Sequence, residues 1–327
     1  MNPGFGITSL IFLLSPFTLY AQEAQVRPVI SGFVFDALSS SIRPMVGVPG
    51  AALLGPGVVA DADNAEIAPD GNQAIVSKGA RVYLLSGLRN GDPVWTPVLS
   101  GVSKFDQIRW NSASTTAAVY SSDAGALTLL RNRGGALEES AVDLSPVGAA
   151  IGAFLVDRDG RYAIATTASE PAALYLLARD ASPKLIAQFD RPGPMSLAGN
   201  ERDLLVADVA RRQLVLIRDV FGNAEAQPFS ALPDGVDAPV GVAVSQDEAR
   251  AFVADKASKT LLVYDISTRS VMDRIPLDTG PSFVKRFSRN SLFLLNESTK
   301  TGTPIQLLNT DGKPSVYFVP AGGSESQ

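Results

Sequence analysis

The sequence has no cysteine and no histidine among its 327 residues. Without cysteine there are no disulfides, no thiolate nucleophiles and no cysteine-bound zinc or iron–sulfur clusters. Without histidine there is no Ser-His-Asp or Cys-His catalysis, no histidine-ligated metal and no imidazole acid–base chemistry. The chain also has no GxSxG motif and no phosphate-binding loop. These absences exclude most of the common enzyme chemistries.

Basic blocks are absent as well. The formal net charge is −5, from 28 Lys and Arg against 33 Asp and Glu, and no stretch concentrates the cations. Nucleic-acid binding depends on clustered Lys and Arg, so the composition argues against a nucleic-acid partner. The hydrophobic fraction of 46% is too high for a disordered chain.

The N-terminus has an apolar segment without charge from Phe5 to Ala21. Pro16 interrupts it, and it is shorter than the roughly 20 residues that a transmembrane helix needs. Small Ala21 is followed by polar Gln22 and Glu23, which is typical of a signal-peptidase site. We therefore predict a cleaved signal peptide over residues 1–21, no transmembrane span after its removal, and a secreted or periplasmic protein. No Lys or Arg precedes the apolar segment, so an uncleaved anchor or a buried strand is the alternative.

Short apolar, strand-forming runs recur about every 45 residues along the rest of the chain. Seven such runs occur, at residues 33–36, 82–85, 127–130, 174–177, 214–217, 261–264 and 305–308. A second series of polar turns runs out of phase with them, for example Asp70-Gly71, Asp159-Gly160 and Gln246-Asp247. Turn residues between apolar runs indicate hairpins, so each unit contains about four strands.

A four-stranded meander at this period is typical of a β-propeller blade. One such sheet has two apolar faces, and only radial packing of several sheets buries both. Small residues in the first strand of each unit, such as Gly152, Ser196 and Gly241, fit the crowded centre of a ring. We therefore predict an all-β protein with four-stranded antiparallel blades in one domain, residues 22–320, followed by a disordered tail, residues 321–327.

The clearest unit resembles a known repeat type. Residues 241–255 (GVAVSQDEARAFVAD) and residues 261–268 (LLVYDIST) resemble the YVTN-type and NHL-type β-propeller repeats, which are WD-repeat-like. Gln246 and Glu248 replace the Pro and Gly of the usual pattern, whereas residues 68–71 (APDG) retain them. The resemblance implies a propeller architecture and says little about activity.

The number of blades depends on the first unit. Six units show all four strands, and residues 315–319 complete the last of them. The first unit, residues 33–46, shows only two strands, which we interpret as the outer pair. Irregular strands from residues 26–30 and 51–59 would complete a seventh blade, and this is the arrangement we favour. The alternative is a ring of six blades.

Residues that interrupt the repeat are the best candidates for binding, since only one blade usually needs a functional residue. Asp61, Asp63 and Asn64 precede an inner strand and offer three oxygen side chains to a hard cation, so calcium is a candidate ligand. This run lacks the full spacing, the glycine and the final glutamate of a calcium loop. No other cofactor is predicted.

Two further groups complete the predicted site on one face of the ring. Asp106, Arg109 and Trp110 combine charge with an aromatic ring that also fits a gap between blades. Arg212 and Lys285 belong to a scattered basic set that also includes Arg211, Lys256, Lys259 and Arg286. Asp208, Asp219, Asp255 and Asp265 repeat at blade corners, where a carboxylate accepts backbone N–H bonds, so we interpret them as structural.

We predict from these features an exported, non-enzymatic binding scaffold that acts through one face of its ring. Its partner would be a protein, a peptide or a glycan of the cell envelope, and the protein would be a monomer. The alternative is a lactonase-like hydrolase or lyase that uses carboxylates, with or without a divalent cation.

Overall fold

The computed structural model describes residues 29–99, 102, 105–133, 136–287, 291–297 and 303–320. The predicted signal peptide, residues 1–21, and the predicted tail, residues 321–327, lie outside the described residues. Within the described part of the chain, the one helical element is a short 3-10 turn at Leu88–Asn90. All other regular structure is β-strand, as predicted.

The strands form seven antiparallel sheets arranged as the blades of a propeller, and the sequence prediction of seven blades is confirmed. Each blade is a meander of consecutive strands. Blade 1 comprises β1 (Ile30–Asp36), β2 (Ser41–Val46) and β3 (Leu53–Leu54). Blade 2 comprises β4 (Asn64–Ile67), β5 (Gln73–Lys78), β6 (Arg81–Ser86) and β7 (Val94–Val98). Blade 3 comprises β8 (Gln107–Trp110), β9 (Thr116–Ser121), β10 (Ala126–Arg133) and β11 (Ala136–Val142).

Blades 4 to 7 each have four strands. Blade 4 comprises β12 (Ile151–Val156), β13 (Tyr162–Thr167), β14 (Ala172–Ala178) and β15 (Ala181–Phe189), and blade 5 comprises β16 (Pro192–Ala198), β17 (Asp203–Asp208), β18 (Gln213–Arg218) and β19 (Glu225–Ala231). Blade 6 comprises β20 (Pro239–Val244), β21 (Arg250–Asp255), β22 (Thr260–Asp265) and β23 (Ser270–Pro276). Blade 7 comprises β24 (Lys285–Arg286), β25 (Leu292–Leu294), β26 (Ile305–Asn309) and β27 (Ser315–Val319).

The first strand of each blade is the innermost. β1 contacts β4, β8 contacts β12, and β16 contacts both β12 and β20, so the first strands surround the centre of the ring. Small residues make this approach possible. A Cβ atom on Gly241 would lie 2.4 Å from the backbone nitrogen of Val284, in the segment leading to β24. Gly241 therefore permits the close approach of neighbouring blades that the sequence predicted.

The inner strands of blades 1, 4, 5 and 6 share an irregularity near their start. The register with the second strand shifts after Ile30, Ile151, Pro192 and Pro239. Such a bulge bends a strand and increases its twist. It occurs where each inner strand enters the ring.

The hydrophobic core is divided among the faces between blades. The described buried apolar residues form seven clusters, and each joins two neighbouring blades. Tyr264 and Phe229, for example, pack blade 6 against blade 5. Apolar side chains on both faces of one sheet are thus buried, which explains the continuous apolar runs of the third strands.

Blade 1 differs from the prediction. Residues 33–36 belong to the inner strand β1, and residues 41–46 form the second strand, so interpreting them as the outer pair was wrong. An apolar run shows that a strand is buried on both faces, but it does not show the strand's place in its blade. Residues 51–59 do supply the irregular outer part, through β3 and a bridge between Ile42 and Val59.

Within the described residues, blades 7 and 1 have no strand in common, so the ring closes between two separate sheets. Val34 and Met45 of blade 1 pack against Phe287, Ile305 and Leu307 of blade 7. A Cβ atom on Gly32 would lie 2.5 Å from the ring of Phe287, so the two blades meet closely here as well. Side-chain packing therefore closes the propeller.

Candidate functional site

A channel of about 1090 Å³ runs along the centre of the ring. Its described lining comes from the inner strands of blades 2 to 7 and from the turns at their ends. This volume is slightly above the range of about 300–1,000 Å³ that is usual for small-molecule pockets. The channel is larger than a second cavity of about 370 Å³ that lies between blades 3 and 4.

The channel has two different ends, because all inner strands start at the same side of the ring. At one end, which we call the turn end, lie the turns between the first and second strands, with Arg158, Glu201 and Glu248. At the other, the entry end, lie the segments that lead into the inner strands and the loops after the second strands, with Glu170, Arg191 and Ser282.

Lys285 of β24 forms the central ion-pair cluster. Its Nζ lies 2.7 Å from Glu66 Oε2 and 3.1 Å from Glu297 Oε1, and 4.6 Å from the centre of the Phe283 ring. Burial lowers the pKa of Lys285, but the two carboxylates outweigh burial and hold that pKa above its usual value. The ion pair connects blade 7 to blade 2 across blade 1, which lies between them.

Arg109 and Trp110 of β8 adjoin this cluster. The Arg109 guanidinium donates a hydrogen bond to the carbonyl of Ile108 at 2.8 Å, and its charge lowers the pKa of Lys285. Trp110 Nε1 donates to the carbonyl of Glu66 at 3.1 Å, and the indole packs on the apolar cluster between blades 2 and 3. Trp110 therefore fills a gap between blades and lines the channel at the same time.

Arg286 and Glu201 form a second charged pair in the channel lining, and they do not touch. Arg286 lies over the ring of Phe293, with 5.0 Å between the guanidinium carbon and the ring centre. It has neither an ion pair nor a side-chain hydrogen bond within the described ranges. Burial lowers the pKa of Arg286, and the Glu201 carboxylate partly offsets that effect. Glu201 Oε2 is shielded from solvent and has no hydrogen-bond partner among the described atoms.

The backbone at Glu201 explains how its side chain reaches the channel. Blade 5 has a short turn, in which Ala198 pairs directly with Asp203. Asn200 and Glu201 both have positive φ, at 54° and 61°. This geometry is typical of a hairpin turn that prefers glycine at its second position, so glutamate is unusual here.

The charges that line the channel are close to balance. Five described cations, Arg109, Arg158, Arg191, Lys285 and Arg286, face four described anions, Glu66, Glu170, Glu201 and Glu248. The Glu248 carboxylate accepts a hydrogen bond from the backbone of Asn200, so it is occupied within the protein. A polar ligand with groups of both signs suits this lining better than a simple anion or cation.

Of the eight residues predicted from the sequence, Arg109, Trp110 and Lys285 line the channel, and the other five lie outside its lining. Asp61 is exposed and pairs with Lys78 at 3.5 Å, whereas Asn64 accepts a hydrogen bond from the backbone of Ala65 at 2.8 Å. Asp63 is exposed beside them.

Asp106 and Arg212 serve their own loops. Asp106 accepts hydrogen bonds from the backbone and the hydroxyl of Ser122, at 2.6 and 2.7 Å. Arg212 pairs with Asp237 and, at 3.7 Å, with Asp234. In the part of the chain that the structure describes, no three carboxylates converge as they would on one metal ion. The calcium site at Asp61, Asp63 and Asn64 stays a prediction.

The repeated aspartates at blade corners cap turns, as predicted. Asp208 accepts a backbone hydrogen bond from Arg211 at 3.1 Å, and Asp219 accepts one from Asn223 at 3.0 Å. Asp255 accepts one from Ser258 and Asp265 one from Thr268, both at 2.8 Å. Their carboxylates are used within the protein.

Sequence reasoning did not identify Glu66 and Glu201 as site residues. Glu66 lies within a strand-like run and carries no local signal. Glu201 carried only a weak signal, because its turn departs from the Asp-Gly sequence of blades 2 and 4, as the turns of blades 3, 6 and 7 also do. A residue that interrupts the repeat was the stated criterion for function, and Glu201 meets it.

Several solved structures are similar to this chain over most of its length. A protein from Bacteroides uniformis, proposed as a 6-phosphogluconolactonase, has a TM-score of 0.60 at 13% identity, covering 89% of this chain and 96% of that one. The β-propeller domain of Cps50 (Swd1) from Myceliophteria thermophila has a TM-score of 0.54 at 11% identity, covering 81% and 92%. The calcium-binding protein regucalcin from Agrobacterium tumefaciens has a TM-score of 0.50 at 12% identity, covering 81% and 85%.

No protein-family model matches the chain, and no curated protein matches it. At these identities the similar structures show a shared fold and no shared activity. The chain is a seven-bladed β-propeller. Among the described residues, no helix has the length and apolar character needed to cross a membrane.

Proposed function

We propose that this propeller is an exported, non-enzymatic binding protein that holds a polar ligand in its central channel. The observation that carries the proposal is the channel itself, in which half-buried charges of both signs include Arg286 and the unpartnered oxygen of Glu201. Buried charges are costly unless they are paired, so such groups favour a ligand that supplies the missing partners.

The partner classes expected from the sequence fit such a channel. A small polar molecule, the end of a peptide or the end of a glycan presents several hydrogen-bonding groups in a narrow cross-section. Export through the signal peptide places this partner in the cell envelope or outside the cell. The YVTN/NHL repeat type is part of the same proposal, and it rests on residues 241–268, which form the strands and turns of blade 6.

The hydrolase alternative rests on the shared fold alone. Lys285 and Glu66 of the channel are engaged with one another, and Glu248 is bonded to a backbone N–H. A general acid and base need carboxyl groups free to exchange a proton with a substrate. Glu201 is the one half-buried carboxylate of the described lining without such a bond, and an acid–base pair needs two, so we favour binding over catalysis.

The two tryptophans offer a direct test of binding in the channel. Trp110 lines the channel, whereas Trp95 lies on the outer strand β7, where it contacts Tyr83 edge-on at 5.3 Å. In a Trp95→Phe variant of residues 22–327, tryptophan fluorescence reports on Trp110 alone. The probes are trialanine, maltotriose, succinate and a mixture of non-aromatic amino acids, each titrated to millimolar concentration.

We expect at least one probe to change Trp110 emission in a saturable way and to raise the melting temperature. A site occupied only in the folded state stabilises the protein by mass action. The matched control is Trp110→Phe, whose remaining Trp95 should not respond. If no probe changes either quantity, the proposed binding function is wrong.

A further inference from the structure

The gap between Arg286 and Glu201 defines a particular kind of ligand. Arg286 belongs to blade 7 and Glu201 to blade 5, so blade 6 lies between them in the ring. Both side chains line the channel near its turn end, and neither bonds to the other. They are close enough for the charge of Glu201 to act on Arg286.

Each group lacks the partner that its chemistry requires. A guanidinium binds an oxyanion best, through parallel N–H donors. Glu201 Oε2 has no donor but is closed to solvent, so a ligand in the channel reaches the carboxylate through its other oxygen. An ammonium there satisfies both the hydrogen bonding and the charge of the carboxylate. A ligand that fits between them therefore carries an oxyanion on one side and a cationic donor on the other.

The other half-buried charges of the lining already have partners within the protein, and Arg109 donates to the carbonyl of Ile108. Lys285 is neutralised by Glu66 and Glu297, and Glu248 is bonded to Asn200. Arg286 and Glu201 thus remain as the half-buried pair without internal partners in the described lining. The Arg286 guanidinium also lies over the Phe293 ring, 5.0 Å from its centre, which is a favourable cation–π contact.

We propose that Arg286 and Glu201 form a subsite for the zwitterionic head of an α-amino acid, with the carboxylate on Arg286 and the ammonium on Glu201. The rest of the ligand extends along the channel, whose volume of about 1090 Å³ exceeds that of an amino-acid head group. This inference rests on the proposed binding function and specifies its ligand class.

The test compares free amino acids with their N-acetyl derivatives, which keep the carboxylate and lose the ammonium. The probe is an equimolar mixture of non-aromatic L-amino acids, read by Trp110 fluorescence in the Trp95→Phe background. We expect the free mixture to bind roughly tenfold or more tightly than the acetylated mixture, since one charge-assisted hydrogen bond is lost.

Two variants assign the two contacts. Glu201→Gln should make the free and acetylated mixtures bind equally, because the anion that distinguishes them is gone. Arg286→Gln should weaken both mixtures roughly tenfold or more, because both retain the carboxylate. Glu225→Gln and Arg81→Gln, exposed positions on the outer parts of blades 5 and 2, are the matched controls and should change neither affinity. A melting curve for each variant shows that it is folded.

The outcomes separate the two proposals. If maltotriose or succinate gives a Trp110 response and the amino acids give none, the channel binds ligands and the zwitterion subsite is wrong. Equal affinity for free and acetylated mixtures in the parent protein, or discrimination that survives in Glu201→Gln, also overturns it. If no probe binds, the proposed function fails first.

Discussion

At the scale of the residue, the role of an acidic side chain in a turn depends on whether the protein itself donates hydrogen bonds to its carboxylate. Asp255 and Asp265 accept hydrogen bonds from their own turns and are structural. Glu201 occupies a comparable turn, yet one of its oxygens has no partner among the described atoms. The position of an acidic residue at a blade corner therefore does not determine its role; its hydrogen bonds do.

Asp157 provides a pH-dependent prediction at this scale. Burial raises the pKa of Asp157, although backbone hydrogen bonds from Tyr162, Arg161 and Asp159 lower it in part. Because the folded state holds this proton more tightly than the unfolded state, its contribution to stability is complete below pH 3.8. That contribution is lost as the pH rises through the folded pKa.

Asp157→Asn replaces the carboxyl group by a side chain that does not titrate. We therefore expect the stability of the variant not to fall as the pH rises, so that it is at least as stable as the parent at pH 7. Asn111 occupies the matching turn of blade 3 and accepts backbone hydrogen bonds from Thr115 and Thr116, which shows that asparagine fits there. Denaturant unfolding from pH 3 to pH 7 measures the effect. Exposed Asp123→Asn should follow the parent, and a parent-like pH profile for Asp157→Asn would contradict the prediction.

Lys285 provides a second prediction. Lys285→Met leaves Glu66 and Glu297 close together without a cation, so we expect a loss of about 2 kcal/mol in unfolding free energy. This is below the cost in a fully buried pair, since about a fifth of each of the Lys285 and Glu66 side chains is exposed, at 22% and 19%.

The direction in which the pKa of Lys285 is shifted determines how the stability of the ion pair depends on pH. The pKa of Lys285 is raised, so the stability that this ion pair contributes is fully present below pH 10.5 and is lost as the pH rises through the folded pKa. Denaturant unfolding at pH 7 and above pH 10.5 measures it. The difference between parent and Lys285→Met should shrink at the higher pH; an unchanged difference would contradict the electrostatic explanation.

At the scale of the element, the inner strands determine how closely the blades approach. Gly241 lies against Val284, and Gly32 lies against Phe287, in each case where a Cβ atom would overlap the next blade. Strand-forming residues with larger side chains fill the second and third strands, where two faces of a sheet need covering. The composition of a strand thus reflects its distance from the axis.

Gly241→Ala tests this close approach. The added Cβ atom would lie 2.4 Å from both the backbone nitrogen and a methyl group of Val284, and backbone cannot move aside cheaply. We expect a loss of about 3 kcal/mol in unfolding free energy by denaturant titration. Gly125→Ala is the control, because that glycine has a φ of 58° and no atoms near its Cβ position, so its cost of about 1 kcal/mol comes from backbone strain alone. Equal losses would contradict a steric role for Gly241.

Strand order was predictable from the sequence where the repeat was complete. The third strands of blades 2 to 7 lie at the predicted runs, because the turn on either side fixed their place. In blade 1 the run at residues 33–36 looks like a third strand and is the first, since apolar character marks burial and not order.

The site was less predictable, for a physical reason. Lys285 meets Glu66 across blade 1, and the charge of Glu201 acts on the pKa of Arg286 across blade 6. Both relations link blades that are not neighbours, and they exist only once the ring has closed. Local patterns in the sequence identify strands and turns, whereas such pairings depend on the curvature of the whole ring.

At the scale of the whole molecule, the join between blades 7 and 1 is held by side chains. Leu307 of β26 is fully buried in the cluster with Val34 and Met45, whereas Leu261 of β22 is fully buried in the cluster between blades 6 and 7. If the join is as strong as the other faces, the ring unfolds as one cooperative unit.

We therefore expect Leu307→Ala and Leu261→Ala to have similar costs, about 2–5 kcal/mol each, and to leave a single unfolding transition. Calorimetry together with circular dichroism measures both quantities. A separate early transition in Leu307→Ala alone would show instead that the join opens before the rest of the ring.

Each described sheet is formed by one continuous stretch of the chain, and this affects how the gene can change by duplication or deletion. Because no described sheet combines strands from the two ends of the chain, a tandem duplication of one repeat of about 45 residues adds a complete sheet and cuts none. Loss of one repeat removes a complete sheet in the same way. A ring of this kind can therefore gain or lose whole blades one at a time, and only the curvature of the ring has to change.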